Sequence, residues 1–100
     1  MKRYAGERGL SGALAMVDGA PLAPRLELRR FSRTGFDWSY VGPAPRQLGL
    51  ALLADHLGDD AQALALCDAF TAAVVAGLDN AWELTSDDIA AALAELRAAG

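Results

Sequence analysis

The sequence predicts an α+β domain: an N-terminal β-hairpin or small antiparallel sheet packed against three α-helices. Three observations lead there. Apolar residues near the N-terminus alternate with an imperfect period of two, whereas those after Pro45 recur every three or four positions. Proline, glycine and aspartate punctuate the chain where one period gives way to the other. Finally, nothing longer than a turn separates the periodic segments after residue 42. A chain of 100 residues is the size of one domain. We therefore expect a single unit over 1–100, with strands and an ordered loop in 1–42 and three helices in 43–100.

Taking the elements in order, Lys2 to Glu7 and Ala13 to Asp18 read as two short strands joined by a glycine-rich connection. Gly6, Gly9 and Gly12 fall every third position, but their spacing is not that of a nucleotide-binding fingerprint and is turn chemistry. Asp18-Gly19 is a turn dipeptide, and Pro21 to Pro24 must be extended or turning because each proline restricts its predecessor. Arg25-Leu26-Glu27-Leu28-Arg29 alternates with period two and is expected to form a third strand. Phe31 to Val41 holds four aromatics among turn formers, which predicts an ordered loop pinned to the core.

The first helix is predicted from Pro45 to Leu57, with Leu48, Leu52 and Leu53 inward and a stop at Gly58. The second starts at Asp59 or Asp60 and carries Ala63, Cys67, Phe70, Val74 and Leu78 on one stripe. Trp82 to Leu84 is a brief extended piece before the third helix. That helix is capped by Thr85 or Ser86, has capping-box spacing between Thr85 and Asp88, and buries Ile89, Leu93 and Leu96. Much of the 53% apolar content is alanine, so the core rests on these few large residues, Leu66 and the two tryptophans.

At Phe36-Asp37-Trp38-Ser39-Tyr40, Gly42, Pro45, Gln47, Leu48, Leu50, Ala51, Leu52 and Leu53, and again at Trp82-Glu83-Leu84-Thr85 and Ile89, the chain resembles a family of short proteins. That family comes from bacteria, archaea and their phages and is a domain of unknown function. The resemblance implies a fold and no activity, cofactor or catalytic residue. Ser39, Val41, Pro43 and Ala44 stand where the family tends to have a flexible Gly- or Ser-containing loop. Pro43 and Pro45 also remove backbone donors that an anion site at a helix N-terminus would need.

Charge divides the chain. Residues 1–50 carry eight cations against four acids, a net +4, and residues 51–100 carry one cation against nine acids, a net −8. Chemistry-bearing residues are few. His56 and Cys67 are the one imidazole and the one thiol, too few for a structural zinc site, and Cys67 sits on an apolar stripe. Asp59, Asp60, Asp87 and Asp88 all fall at helix starts, where the helix dipole favours acids. No nucleophile elbow or Walker motif occurs. The expectation is a protein that is not an enzyme and uses no cofactor or metal.

Two binding readings remain. In the first, the acidic helical surface at Asp55, Asp59, Asp60 and Asp68 occupies the basic, nucleic-acid-binding site of another protein. A phage or mobile-element inhibitor of a host defence complex, of the anti-CRISPR kind, is the form this takes. In the second, Arg25, Arg29, Arg30, Arg33 and Arg46, with Trp38 and Tyr40, bind nucleic acid directly through phosphate contacts and stacking. The basic and acidic halves also allow a homodimer. Met1 to Glu7 leads into a glycine-rich stretch, and Leu48 to Ala54 and Ala69 to Leu78 are shorter than the roughly 20 residues of a membrane span. Together with the single cysteine, this gives the expectation of a cytoplasmic protein with no membrane partner.

Overall fold

A computed structural model describes residues 1–10 and 12–99. An antiparallel four-stranded sheet, in the order β3-β2-β1-β4, packs against three helices. Its strands are β1 (Arg3–Gly9), β2 (Gly12–Val17), β3 (Ala20–Pro21) and β4 (Ala81–Thr85). The helices are α1 (Pro43–Leu57), α2 (Asp60–Ala73) and α3 (Ser86–Ala99), and a single 3-10 turn at Val75–Gly77 follows α2. The α+β arrangement is the one the sequence predicts.

The β1/β2 pair is in register from Tyr4↔Val17 to Gly9↔Gly12. Asp18 and Gly19 both take positive φ, 49° and 82°, the geometry of a two-residue hairpin turn whose twist matches the strands it joins. β4, foreseen as a brief extended piece, pairs along β1 with Tyr4↔Leu84 and Gly6↔Trp82. The period of two places Tyr4, Gly6, Ala15 and Trp82 on the face that meets the helices. Gly6 is required there: a Cβ would lie 2.5 Å from the Trp82 indole.

The expected strand at 25–29 does not form. Arg25 adopts a left-handed backbone with φ 56°, and its carbonyl accepts from the N–H groups of Leu28 and Arg29. The segment is one tight turn. β3 pairs with β2 only at Ala20 and Pro21, and after one further bond, from the Leu22 N–H to the Ala15 carbonyl, the chain leaves the sheet. The later carbonyls and amides of the loop are satisfied by a side chain on α1, described below.

α1 is the centre of the molecule, and Gln47 to Ala54 form an unbroken buried run. An amphipathic stripe is not expected of a helix covered on several sides. The sheet reaches it through Tyr4, whose hydroxyl donates to Asp55 at 2.7 Å. α2 crosses it at Gly49, where a Cβ would stand 2.4 Å from the Thr71 hydroxyl. Gly58, with φ 63°, closes it as a left-handed cap.

The boundaries of α2 and α3 follow their caps. Asp59 caps α2 by accepting from the Gln62 N–H, and Thr85 and Asp88 bond reciprocally at the start of α3. Ala63, Cys67 and Phe70 are buried as the stripe predicts, but α2 ends at Ala73 and Val75 takes the interior place expected of Val74. Leu66 and Leu96 are only half-buried. By length and composition the stretch Asp60–Gly77 could cross a bilayer, with mean hydropathy 1.2 over 18 residues. Its alanines raise the hydropathy, and its buried face packs on α1.

Candidate functional site

The loop between Leu22 and Gly42 carries half of the arginines, and the backbone of its first half is organised by one residue, Gln47. This side chain is completely buried in the first turns of α1. Its carbonyl oxygen accepts from the N–H groups of Phe31 (2.8 Å) and Ser32 (3.2 Å). Its amide donates to the carbonyls of Pro24 (2.7 Å) and Arg29 (3.1 Å). Four loop groups that would otherwise lack a ladder are thereby satisfied, and both donors and both acceptor positions of the amide are used. Residues 29–32 are fixed beside the N-terminal end of α1.

The second half of the loop is held by Arg8 of β1. Its guanidinium donates to Asp37 (2.7 Å and 3.0 Å), to Asn80 (2.7 Å), to the Trp38 carbonyl and to Ser39. It also lies 4.8 Å above the Trp38 ring, and that ring meets Trp82 edge-on at 5.7 Å. Burial works against the charge on Asp37, but bonds from Arg8, the Trp38 N–H and Tyr40 outweigh it and hold the carboxyl below its ordinary range. An open hollow of about 550 Å³, lined by Ser39, Gly77, Leu78, Asp79 and Asn80, adjoins this network.

The structure separates the arginines into two groups. Arg25 pairs with Asp60 (3.1 Å) and Glu27 (2.6 Å), and Arg46 pairs with Asp68 (3.3 Å). Arg29, Arg30 and Arg33 are exposed and have no ion-pair partner among the described residues. Arg29 instead lies 5.4 Å over the Phe31 ring. Trp38 has no exposed surface, so the stacking role expected of it is closed to it. Tyr40 is 46% exposed, and its hydroxyl donates to Asp37.

The four candidate aspartates are all engaged within the molecule. Asp55 accepts from Tyr4 and from Lys2 at 3.0 Å. Asp59 is the α2 cap, Asp60 meets Arg25, and Asp68, although 76% exposed, meets Arg46. Burial disfavours the charge of Asp55, but the bonds from Tyr4 and Lys2 and the positive charge nearby prevail, so its pKa lies below the usual 3.8. Burial lowers the pKa of His56 and raises that of the Cys67 thiol, which donates to the Arg46 carbonyl at 3.3 Å. A thiol held protonated in the core is a poor nucleophile. Among the described residues, no three His, Cys, Asp or Glu side chains gather as metal ligands.

Sequence reasoning missed Gln47 and Arg8. The signal for Gln47 was present: a lone amide flanked by buried residues must find internal partners. Arg8 gave none, because its partners lie 29, 31 and 72 positions away.

Fold and site together define a small α+β domain with a pinned cationic loop. The chain belongs to the family of unknown function DUF6166, whose model matches residues 4–95. No curated protein and no solved structure matches it.

Proposed function

We propose that the protein is a binding module for nucleic acid, which it contacts through the phosphates with Arg29, Arg30 and Arg33. The observation that carries this reading is that these three guanidiniums are exposed and, among the described residues, have no ion-pair partner, on a loop whose backbone Gln47 already holds. A preordered cationic loop loses little backbone entropy on binding. Arginine matches phosphate oxygens with two parallel donors. The net charge of −4 opposes long-range attraction, so the contact is local, within a screening length of about 10 Å at 0.1 M salt.

The competing reading, an acidic inhibitor of the anti-CRISPR kind directed at a basic protein, relies on Asp55, Asp59, Asp60 and Asp68. Each of these has an internal partner that it would have to leave or share. The loop is preferred for that reason.

Fluorescence anisotropy with a labelled 20-base-pair duplex tests the proposal. Three phosphate contacts give a slope of about −2.7 in log affinity against log salt, or about 40-fold weaker binding at 200 mM than at 50 mM. The triple variant Arg29→Gln, Arg30→Gln, Arg33→Gln should abolish both the binding and its salt dependence. Absence of binding at 50 mM, or binding indifferent to the triple variant, would overturn the proposal.

A further inference from the structure

We infer that the nucleic acid bound is a duplex gripped by its phosphates, and not a single strand gripped by its bases; this rests on the phosphate-binding reading above. The two ligands demand different surfaces. A single strand is held by aromatic side chains on which successive bases stack, set in a positive groove. A duplex conceals its base faces and offers phosphates at one charge per about 1.7 Å of axis, against about 3.4 Å along one strand.

The aromatic side chains of this chain are committed elsewhere. Tyr4, Trp38 and Phe70 have no exposed surface, and Trp82 is 7% exposed. Phe31 and Phe36 are half-buried and packed on the core, and the guanidinium of Arg29 lies over Phe31. Only Tyr40 is substantially exposed. Its hydroxyl is bonded to Asp37, and its ring lies close to Gly42, where a Cβ would sit 3.0 Å from it. One tethered ring is not a run of stacking platforms. On the same loop, Arg29, Arg30 and Arg33 form a cationic segment whose extended length is at most about 14 Å. What the loop offers is charge and bidentate donors without free π-faces, and that suits a phosphate lattice.

Charge density then sets the order of affinity. Neutralising a phosphate releases about 0.9 counterion from a duplex and about 0.7 from a single strand. For three contacts at 50 mM salt the difference corresponds to about six-fold tighter binding of the duplex.

The experiment uses the full chain with a labelled 20-base-pair duplex and, separately, its labelled top strand, by anisotropy at 50 mM salt. Tighter binding of the duplex, with both affinities unchanged by Tyr40→Ala, is the expected result. A single strand bound as tightly as the duplex or more tightly would overturn the inference. So would a loss of about ten-fold or more in single-strand affinity on Tyr40→Ala, which is the size of one lost stacking contact. If the wild-type chain binds neither probe, the phosphate-binding reading itself has failed. If it binds both through the three arginines but prefers the single strand, that reading stands and only the duplex assignment falls.

Discussion

Gln47 shows how one side chain can decide the shape of a loop twenty residues away. Replacing it with leucine preserves helix propensity and approximate size but leaves the Phe31 and Ser32 N–H groups and the Pro24 and Arg29 carbonyls without their partner. Partial access to water softens the loss, and about 2–4 kcal/mol is expected for Gln47→Leu in urea unfolding. If the loop is preordered as described, the same variant should weaken duplex binding several-fold at a temperature where it remains folded. A variant as stable as wild type would show that the amide is not the organiser. Arg8 is the counterpart on the other side. Its cost on removal falls on Asp37, which would be left partly buried without its main cation.

The most sensitive contact between elements is the crossing of α1 and α2. Gly49 admits the Thr71 hydroxyl, which donates back to the Cys67 carbonyl at 2.8 Å. Gly49→Ala should therefore cost about 1–3 kcal/mol by overpacking, despite the higher helix propensity of alanine. Thr71→Ala removes the obstructing oxygen, and the double variant should recover much of the loss. Additive effects in this double-mutant cycle would mean that the helices do not meet as described. The elements also show where sequence patterns are reliable. The Asp18-Gly19 turn, the Asp59 cap, the Thr85–Asp88 capping box and the Gly58 stop are local chemistry, and each appears as its residues predict. The alternation in 25–29 is equally regular but describes a turn, because a strand also needs a neighbour with free ladder groups. The two-residue β3 offers no such neighbour.

At the scale of the whole molecule, the two oppositely charged halves are stitched together by Lys2–Asp55, Arg25–Asp60 and Arg46–Asp68. Such partly exposed pairs contribute little individually, about 0–1 kcal/mol. Their effect is to remove charges from the surface available to a partner. Stability also depends on pH in two stages, through His56 and then through Asp55 and Asp37. His56 has a folded pKa below its ordinary 6.5, so its contribution is complete above that value and is lost as pH falls through it toward the folded one. Asp55 and Asp37 have folded values below 3.8, so theirs is complete above 3.8 and lost as pH falls toward their folded values. Thermal melts should therefore show a first decline in the midpoint below pH 6.5 and a steeper one below about 4. His56→Gln should remove the first stage and Asp55→Asn should diminish the second. An unaltered profile in either variant would contradict the assigned partners.

By itself, the sequence determined the fold class, the three helices and their caps, and the family to which the chain belongs, because periodicity, capping and turn chemistry act over a few neighbouring residues. It also marked the arginine segment as notable. Only the tertiary structure decided which charges remain free, because that depends on which side chains from distant segments meet. Asp55, Asp59, Asp60 and Asp68 have internal partners, Trp38 lies beneath Arg8, and Arg29, Arg30 and Arg33 are left exposed. Charge count is a property of composition, whereas charge availability is a property of packing.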